Sequence, residues 1–290
     1  MRTFSQVTLI SISILLFFFS PSSSAKSISI DITPLKLKAE ADYAAGKENK
    51  PAILILHGFL TTNQFHTISS VSKALQQEGY TTLAPTLTLN ISQRRNSIKC
   101  NSIHTHTMEN DILEIKTWVE WLRTQGHKKI VLLGHSSGSQ ALLEYLDIYK
   151  DTDISMALFT SLFYLSGTKL GTVESDIISA NSAQASNQTS PQKYSFLFCQ
   201  QNYFATPESF LSYIRIDRKH TLNALKNLSI PNHTIMGGDD KRYQKVGRNW
   251  LEALKETKTN LTVIDGANHF FSSENEIDLQ NVLIKILSKL

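Results

Sequence analysis

Ser136 stands in the run Gly134-His135-Ser136-Ser137-Gly138, between a stretch of apolar residues and a stretch with helical spacing. A serine hydroxyl is a weak nucleophile until a neighbouring base takes its proton, so it points to chemistry only if the chain also supplies that base and a group to orient it. Residues of the right type are present: His269 in Gly266-Ala267-Asn268-His269, and Asp239 and Asp240 after Gly237-Gly238. Acyl chemistry also needs N–H donors for the negative charge that develops on a carbonyl oxygen. If a helix begins directly after Ser136, the Ser137 N–H lies in its first turn, where amides lack intrahelical acceptors and the helix dipole is positive. The bland alternative is a glycine-rich turn whose serine only caps a helix.

The flanking residues favour the first reading. Ile130-Val131-Leu132-Leu133 is a short unbroken apolar run of the kind that forms a fully buried strand. Ala141, Leu142, Tyr145, Leu146 and Tyr149 then recur at helical intervals, so strand passes into helix with no linker. Such a turn strains the backbone at its apex and crowds the neighbours, which suits glycine two positions before and two after Ser136. This stretch resembles the nucleophile elbow of the α/β-hydrolase superfamily. The resemblance implies an α/β fold with a mostly parallel central sheet, helices on both faces, and a cap inserted after the strand that follows the nucleophile helix. It further implies cleavage of a carboxylic ester or related acyl bond through an acyl-serine intermediate, with no metal or organic cofactor.

Upstream, Ile28 to Ile32 alternates as a short strand, and a polar stretch runs through Lys47. Pro51 to Leu56 reads as a buried strand that ends in His57-Gly58-Phe59-Leu60. This ending is similar to the His-Gly turn after the superfamily's third strand, which implies that the Phe59 N–H, or failing it that of Leu60, completes an oxyanion hole with Ser137. A helix from Ile68 to Gly79, a strand from Tyr80 to Ala84 and a helix from Met108 to Gln125 give alternating βαβαβ order. Met108, Ile112, Ile115, Val119 and Leu122 form the buried stripe of the last helix. The polar segment from Thr86 to Thr107 carries Arg94, Arg95, His104 and His106 and reads as a surface loop, its two histidines lacking a third ligand at metal spacing.

Downstream, Ser155 to Leu165 reads as the next strand, and then the pattern dissolves. Residues 166–228 hold a Ser/Asn/Gln-rich patch followed by aromatics, the expected position of a cap or lid insertion with two or three short helices. Regularity returns with a strand from Pro231 to Gly238, a helix from Tyr243 to Lys255, a strand from Leu261 to Asp265 and a final helix from about Glu274. The order Ser136, Asp240, His269 is the superfamily's nucleophile, acid, base order, each at a strand's carboxyl end. The resemblance implies His269 as base and then acid, with Asp240 orienting it; spacing from Gly237 favours Asp240, with Asp239 the competitor. His57 and His135 belong to backbone motifs and read as structural.

The first residues, with Arg2, the apolar run Leu9 to Phe19 and small residues ending at Ala25, read as a signal peptide over 1–25 cut before Lys26. That leaves one domain, 26–290, exported to the periplasm or medium, with no stable membrane anchor expected. A net charge of +4 with no basic patch interleaved with aromatics gives nucleic-acid binding no support. Cys100 and Cys199, the two cysteines, are free to pair in an oxidising compartment and would tie the 86–107 loop to the cap. Asn90, Asn187, Asn227, Asn232 and Asn260 lie in N-x-S/T triplets, relevant only in a glycosylating host. The cap aromatics suggest a small acyl substrate that is apolar or aromatic. Two other readings stay open: an exported non-catalytic member of the same fold that binds a ligand, and a cofactor-free haloperoxidase or carbon-carbon hydrolase.

Overall fold

The protein is described by a computed structural model over residues 25–290, so the signal-peptide reading of residues 1–25 lies, save for Ala25, outside the described residues. The chain runs β1 (Lys26–Ile32), β2 (Leu37–Ala44), β3 (Ala52–Leu56), α1 (His66–Gln77), β4 (Thr81–Thr86), α2 (Met108–Thr124), β5 (Ile130–His135), α3 (Ser137–Tyr149) and β6 (Ile154–Thr160). It continues through α4 (Glu174–Ala185), β7 (Gln192–Phe196), β8 (Cys199–Ala205), α5 (Pro207–Ile214), α6 (Arg218–Asn227), β9 (Asn232–Gly237), α7 (Tyr243–Val246), α8 (Asn249–Lys255), β10 (Asn260–Ile264) and α9 (Asn275–Leu287).

The main sheet has the order β1-β2-β4-β3-β5-β6-β9-β10. β2 pairs antiparallel with both β1 and β4, and the other neighbours are parallel. β5 sits near the middle, its Leu132 level with Leu54 of β3 and Ala157 of β6. Its unbroken apolar run follows from this position, because successive side chains alternate between two covered faces. Val131 and Leu133 join Ile68, Leu75, Leu279 and Leu283 of α1 and α9 on one side. Ile130 and Leu132 join Ile115, Trp118, Leu142 and Leu146 of α2 and α3 on the other.

Four elements differ from expectation. β2 occupies part of the stretch read as polar; its buried residues include Ala39, Ala41 and Ala44, too small to stand out among Lys38, Glu40 and Asp42, and buried Glu40 is met by Arg95 at 2.9 Å. β6 stops at Thr160 because Ser161 turns the chain at φ 50°, and Leu162 to Leu165 stay buried as irregular chain, which an apolar run alone cannot distinguish from strand. The expected helix 243–255 breaks into α7 and α8 at Gly247, φ 82°. The insertion after β6 contains helices and also the β7–β8 hairpin. Its turn at Leu197, φ 51°, has neither glycine nor proline to announce it.

The aromatics of that insertion extend the core on the α2–α3 side of the sheet: Tyr194 stacks on Phe210 with centroids 4.2 Å apart, and Phe196 and Tyr203 are fully buried. Cys100 and Cys199 are joined, with Cα atoms 5.5 Å apart, and tie the hairpin to the 86–107 loop as expected, although Cys199 begins a strand rather than lying in irregular chain. That loop is not the surface feature the sequence suggested. His104 and His106 are each 1% exposed, and His104 is stitched by backbone bonds to Phe204 of β8 and to Thr206 just beyond it.

Candidate active site

The β5–α3 junction is a sharp reversal. Ser136 holds φ 57° and ψ −122°, and its N–H bonds the Thr160 carbonyl at 2.9 Å. A non-glycine residue there costs about 1–3 kcal/mol, which the surrounding sheet must offset. The flanking glycines are required by contact. A Cβ on Gly134 would lie 2.6 Å from the Ser139 backbone, and one on Gly138 would lie 2.3 Å from the His57 carbonyl oxygen. Strand, turn and helix therefore close tightly enough to hold the Ser136 hydroxyl at the carboxyl end of the sheet.

The other two groups arrive from β9 and β10. His269 Nε2 is 2.9 Å from Ser136 Oγ, and its Nδ1 is 2.6 Å from Asp240 Oδ2. A carboxylate only accepts, so Nδ1 carries the proton and Nε2 presents its lone pair to the serine hydroxyl. The second oxygen of Asp240 accepts the Arg242 backbone N–H at 2.9 Å. Asp240 is buried at 2% exposure, whereas the Asp239 carboxylate is 67% exposed and faces Arg248 at 3.7 Å. The structure thus brings Asp240, and not Asp239, to the histidine. The histidine loop is pinned by Ser161 Oγ, which donates to the His269 carbonyl at 2.6 Å, and by the Asp239 N–H, which donates to Ala267 at 2.9 Å. Burial lowers the His269 pKa, the Asp240 hydrogen bond opposes that shift, and the charge of Arg242 adds to it.

Arg242 is a site residue that sequence reasoning missed. Its Nη1 lies 3.5 Å from Ser136 Oγ, and its guanidinium sits over the Phe163 ring at 5.6 Å. The sole sequence signal was an arginine two positions after the acid.

Gly58 packs against Ser136, a Cβ built there falling 3.3 Å from the serine Cβ, so the Phe59 backbone borders the elbow. Among the described residues no hydrogen bond reaches the N–H of Phe59 or Ser137. His57 is structural, as expected: Nδ1 donates to the Gly58 carbonyl at 2.8 Å, Nε2 accepts the Leu87 N–H at 3.1 Å, and burial pushes its pKa down to about 3. His135, likewise buried, bonds Thr160 at 3.0 Å. The Phe59 ring meets Phe196, Phe198 and Tyr203 of the inserted hairpin, centroids 5.2 to 5.8 Å apart. Beneath it a cavity of about 30 Å³ is bordered by Phe59, Leu87, Met108, Ser137, Phe196 and His106. His106 belongs to a buried relay in which its Nδ1 lies 2.6 Å from the Tyr213 hydroxyl, which donates to Asp111 at 2.5 Å. Burial raises Asp111 to about 8 and Glu114 to about 7.

A family model described as "Protein of unknown function (DUF1749)" matches residues 38–193, just over half of the chain. The chain belongs to the DUF1749 family. The matched segment includes Phe59 and Ser136 and ends before Asp240 and His269. No curated protein matches the sequence. Among solved structures, Est1E from Butyrivibrio proteoclasticus is 16% identical over 91% of this chain and 98% of its own, with a TM-score of 0.62. The α/β hydrolase GrgF from Penicillium sp. sh18 is 13% identical over 92% and 98%, with a TM-score of 0.71. The epoxide hydrolase VrEH1 from Vigna radiata is 15% identical over 92% and 98%, with a TM-score of 0.58. This DUF1749 protein has the α/β-hydrolase fold, and at these identities the likeness speaks for fold alone.

Proposed function

We propose that the protein is a serine hydrolase that cleaves a carboxylic ester or related acyl bond. The observation that carries the reading is the continuous hydrogen-bonded line from Ser136 Oγ through His269 to buried Asp240. In the first half-reaction Ser136 Oγ attacks the substrate carbonyl carbon as His269 Nε2 takes the hydroxyl proton. The carbonyl oxygen becomes an oxyanion facing the N–H groups of Phe59 and Ser137. The C–O bond to the leaving group then breaks, the imidazolium returns its proton to the departing alcohol, and an acyl-Ser136 ester remains. Water repeats the sequence, releasing the acid and restoring the serine. Asp240 keeps the imidazole in the tautomer that these steps need.

The aromatic side chains beside the elbow, Phe59 with Phe196 and Phe198 of the inserted hairpin, favour an apolar or aromatic acyl portion. Among the described residues no helix is long and apolar enough to cross a membrane, and the Cys100–Cys199 bond fits an oxidising compartment, in keeping with export. Incubation with a fluorophosphonate, followed by mass spectrometry, is expected to place one adduct on Ser136. A panel of p-nitrophenyl esters of rising chain length is then expected to show turnover. An unlabelled, inert protein would overturn the hydrolase reading and leave ligand binding in its place.

A further inference from the structure

We propose that Arg242 recognises a carboxylate carried by the substrate within a few bonds of the scissile carbonyl, so that the preferred esters are those of an acid or alcohol bearing a second, anionic group. This rests on the hydrolase reading above and narrows its substrate class. Three observations point to it. The guanidinium lies one contact from the nucleophile, 3.5 Å from Ser136 Oγ. Among the described residues no carboxylate lies within 4 Å of it, although most buried or half-buried arginines in this chain do meet acceptors. Arg94, deeper in the fold, spends its donors on the carbonyls of Leu87, Asn96 and Thr61. Arg242 spends one, at long range, on the serine.

An arginine half-withdrawn from water with its donors unspent is costly unless something arrives to use them. Asp240 attracts the guanidinium through its charge but makes no direct pair with it, its oxygens bonding the His269 ring and the Arg242 backbone N–H. The side chain is also held in place. The Phe163 ring supports its face, and burial lowers its pKa without removing its charge. A planar fork so fixed matches a carboxylate in bidentate geometry. Its closeness to Oγ limits how far the anionic group can be from the carbon that Oγ attacks. The apolar wall around Phe59 and Phe196 lies against the oxyanion donors, while Arg242 lies with His269 and Asp240. The fitting substrate is therefore two-faced, apolar toward the inserted hairpin and anionic toward β9.

The test compares three p-nitrophenol-releasing or acid-releasing esters of matched length: the p-nitrophenyl monoester of succinic acid, p-nitrophenyl butyrate as its neutral counterpart, and the butyrate ester of 4-hydroxybenzoate, which moves the charge to the alcohol side. The wild-type protein is expected to favour one of the two anionic esters over the neutral one by roughly 10- to 100-fold in kcat/KM, the range of a hydrogen bond to a charged group. In Arg242→Met that ratio is expected to fall to about one or below, and in Arg242→Lys to lie between. A wild-type ratio near one, or a preference that Arg242→Met retains, overturns the proposal. So does an equal loss on all three esters in Arg242→Met, which would assign the arginine to the charge of the reaction itself. Failure of the hydrolase reading looks different: no ester is turned over and Ser136 takes no fluorophosphonate adduct.

Discussion

His269 Nε2 lies 2.9 Å from Ser136 Oγ, and the two are expected to behave as one unit. Ser136→Ala is expected to cost about 10⁴-fold or more in kcat/KM, and adding His269→Ala hardly more. Asp240→Asn is expected to cost orders of magnitude by releasing the imidazole from its tautomer, while Asp239→Asn, at a solvent-facing carboxylate, stays within about tenfold. Steady-state kinetics of the four variants decide this, and a reversed aspartate ranking refutes the assignment. A pH profile follows from the environment of His269. As a base it must be neutral, and burial together with Arg242 holds its pKa below the ordinary 6.5, so the acid limb of kcat/KM is expected below that value. Arg242→Met removes the repelling charge and should move that limb to higher pH. An unmoved or lowered limb contradicts the coupling. Ser136 and His269 could be singled out because glycine spacing and strand ends mark them, and the count from Gly237 selected the aspartate that the fold brings to His269. Arg242 was not legible, because nothing in a lone arginine's sequence position tells a solvated cation from one turned onto a serine hydroxyl.

Elements that carry large apolar residues at a clear period could be read from the chain, and those built from small or alternating residues could not. β5 and α2 were visible in Ile130 to Leu133 and in the stripe from Met108 to Leu122. β2 was hidden by its alanines, and the β7–β8 hairpin by a turn without glycine. Two expectations belong to this scale. Gly138→Ala would set a methyl 2.3 Å from the His57 carbonyl oxygen, a backbone clash that forces α3 away from the His57-Gly58 turn. Because the Phe59 N–H rides on that turn, activity is expected to fall more than 100-fold with the fold retained, as judged by circular dichroism beside p-nitrophenyl ester rates. The disulfide closes a separation of 99 residues, for which the chain-entropy model gives about 4.7 kcal/mol. Reduction is expected to lower unfolding free energy by up to that amount in urea titrations. Native-state hydrogen exchange should quicken in β7 and β8 and not in β5, since only a few backbone bonds, from Cys100 and His104 to Phe204 and Thr206, then hold the hairpin to the loop. Equal exchange before and after reduction would refute a restraining role.

Taken whole, the molecule buries opposing titratable groups in one region between the 86–107 loop and α2, and this sets how its stability depends on pH. Asp111 and Glu114 have folded-state values raised by burial to about 8 and about 7 from ordinary values of 3.8 and 4.5. A raised folded value means that the stability these groups contribute is full below about pH 4 and is lost as pH rises through 7 and 8. His57 is lowered by burial to about 3, and His106 and His135 are lowered by the same cause. Their contribution is full above 6.5 and is lost as pH falls toward 3. Between pH 4 and 6.5 the two slopes oppose each other, and three histidines against two acids leave a shallow net rise in stability with pH. Above 6.5 the histidines no longer change, and the acids alone act, each with a slope of at most about 1.4 kcal/mol per pH unit. Wild-type unfolding midpoints in urea are therefore expected to fall between pH 6.5 and 8. Asp111→Asn keeps the acceptor for the Tyr213 hydroxyl but cannot ionise, so it should remove roughly two thirds of that fall. Arg94 tempers the effect, since its buried guanidinium draws both carboxyl values downward. Arg94→Met should accordingly steepen the alkaline fall if the variant folds. A wild-type midpoint that stays level from pH 6.5 to 8, or an Asp111→Asn curve with the wild-type slope, would show that these carboxyls ionise without cost in the folded protein.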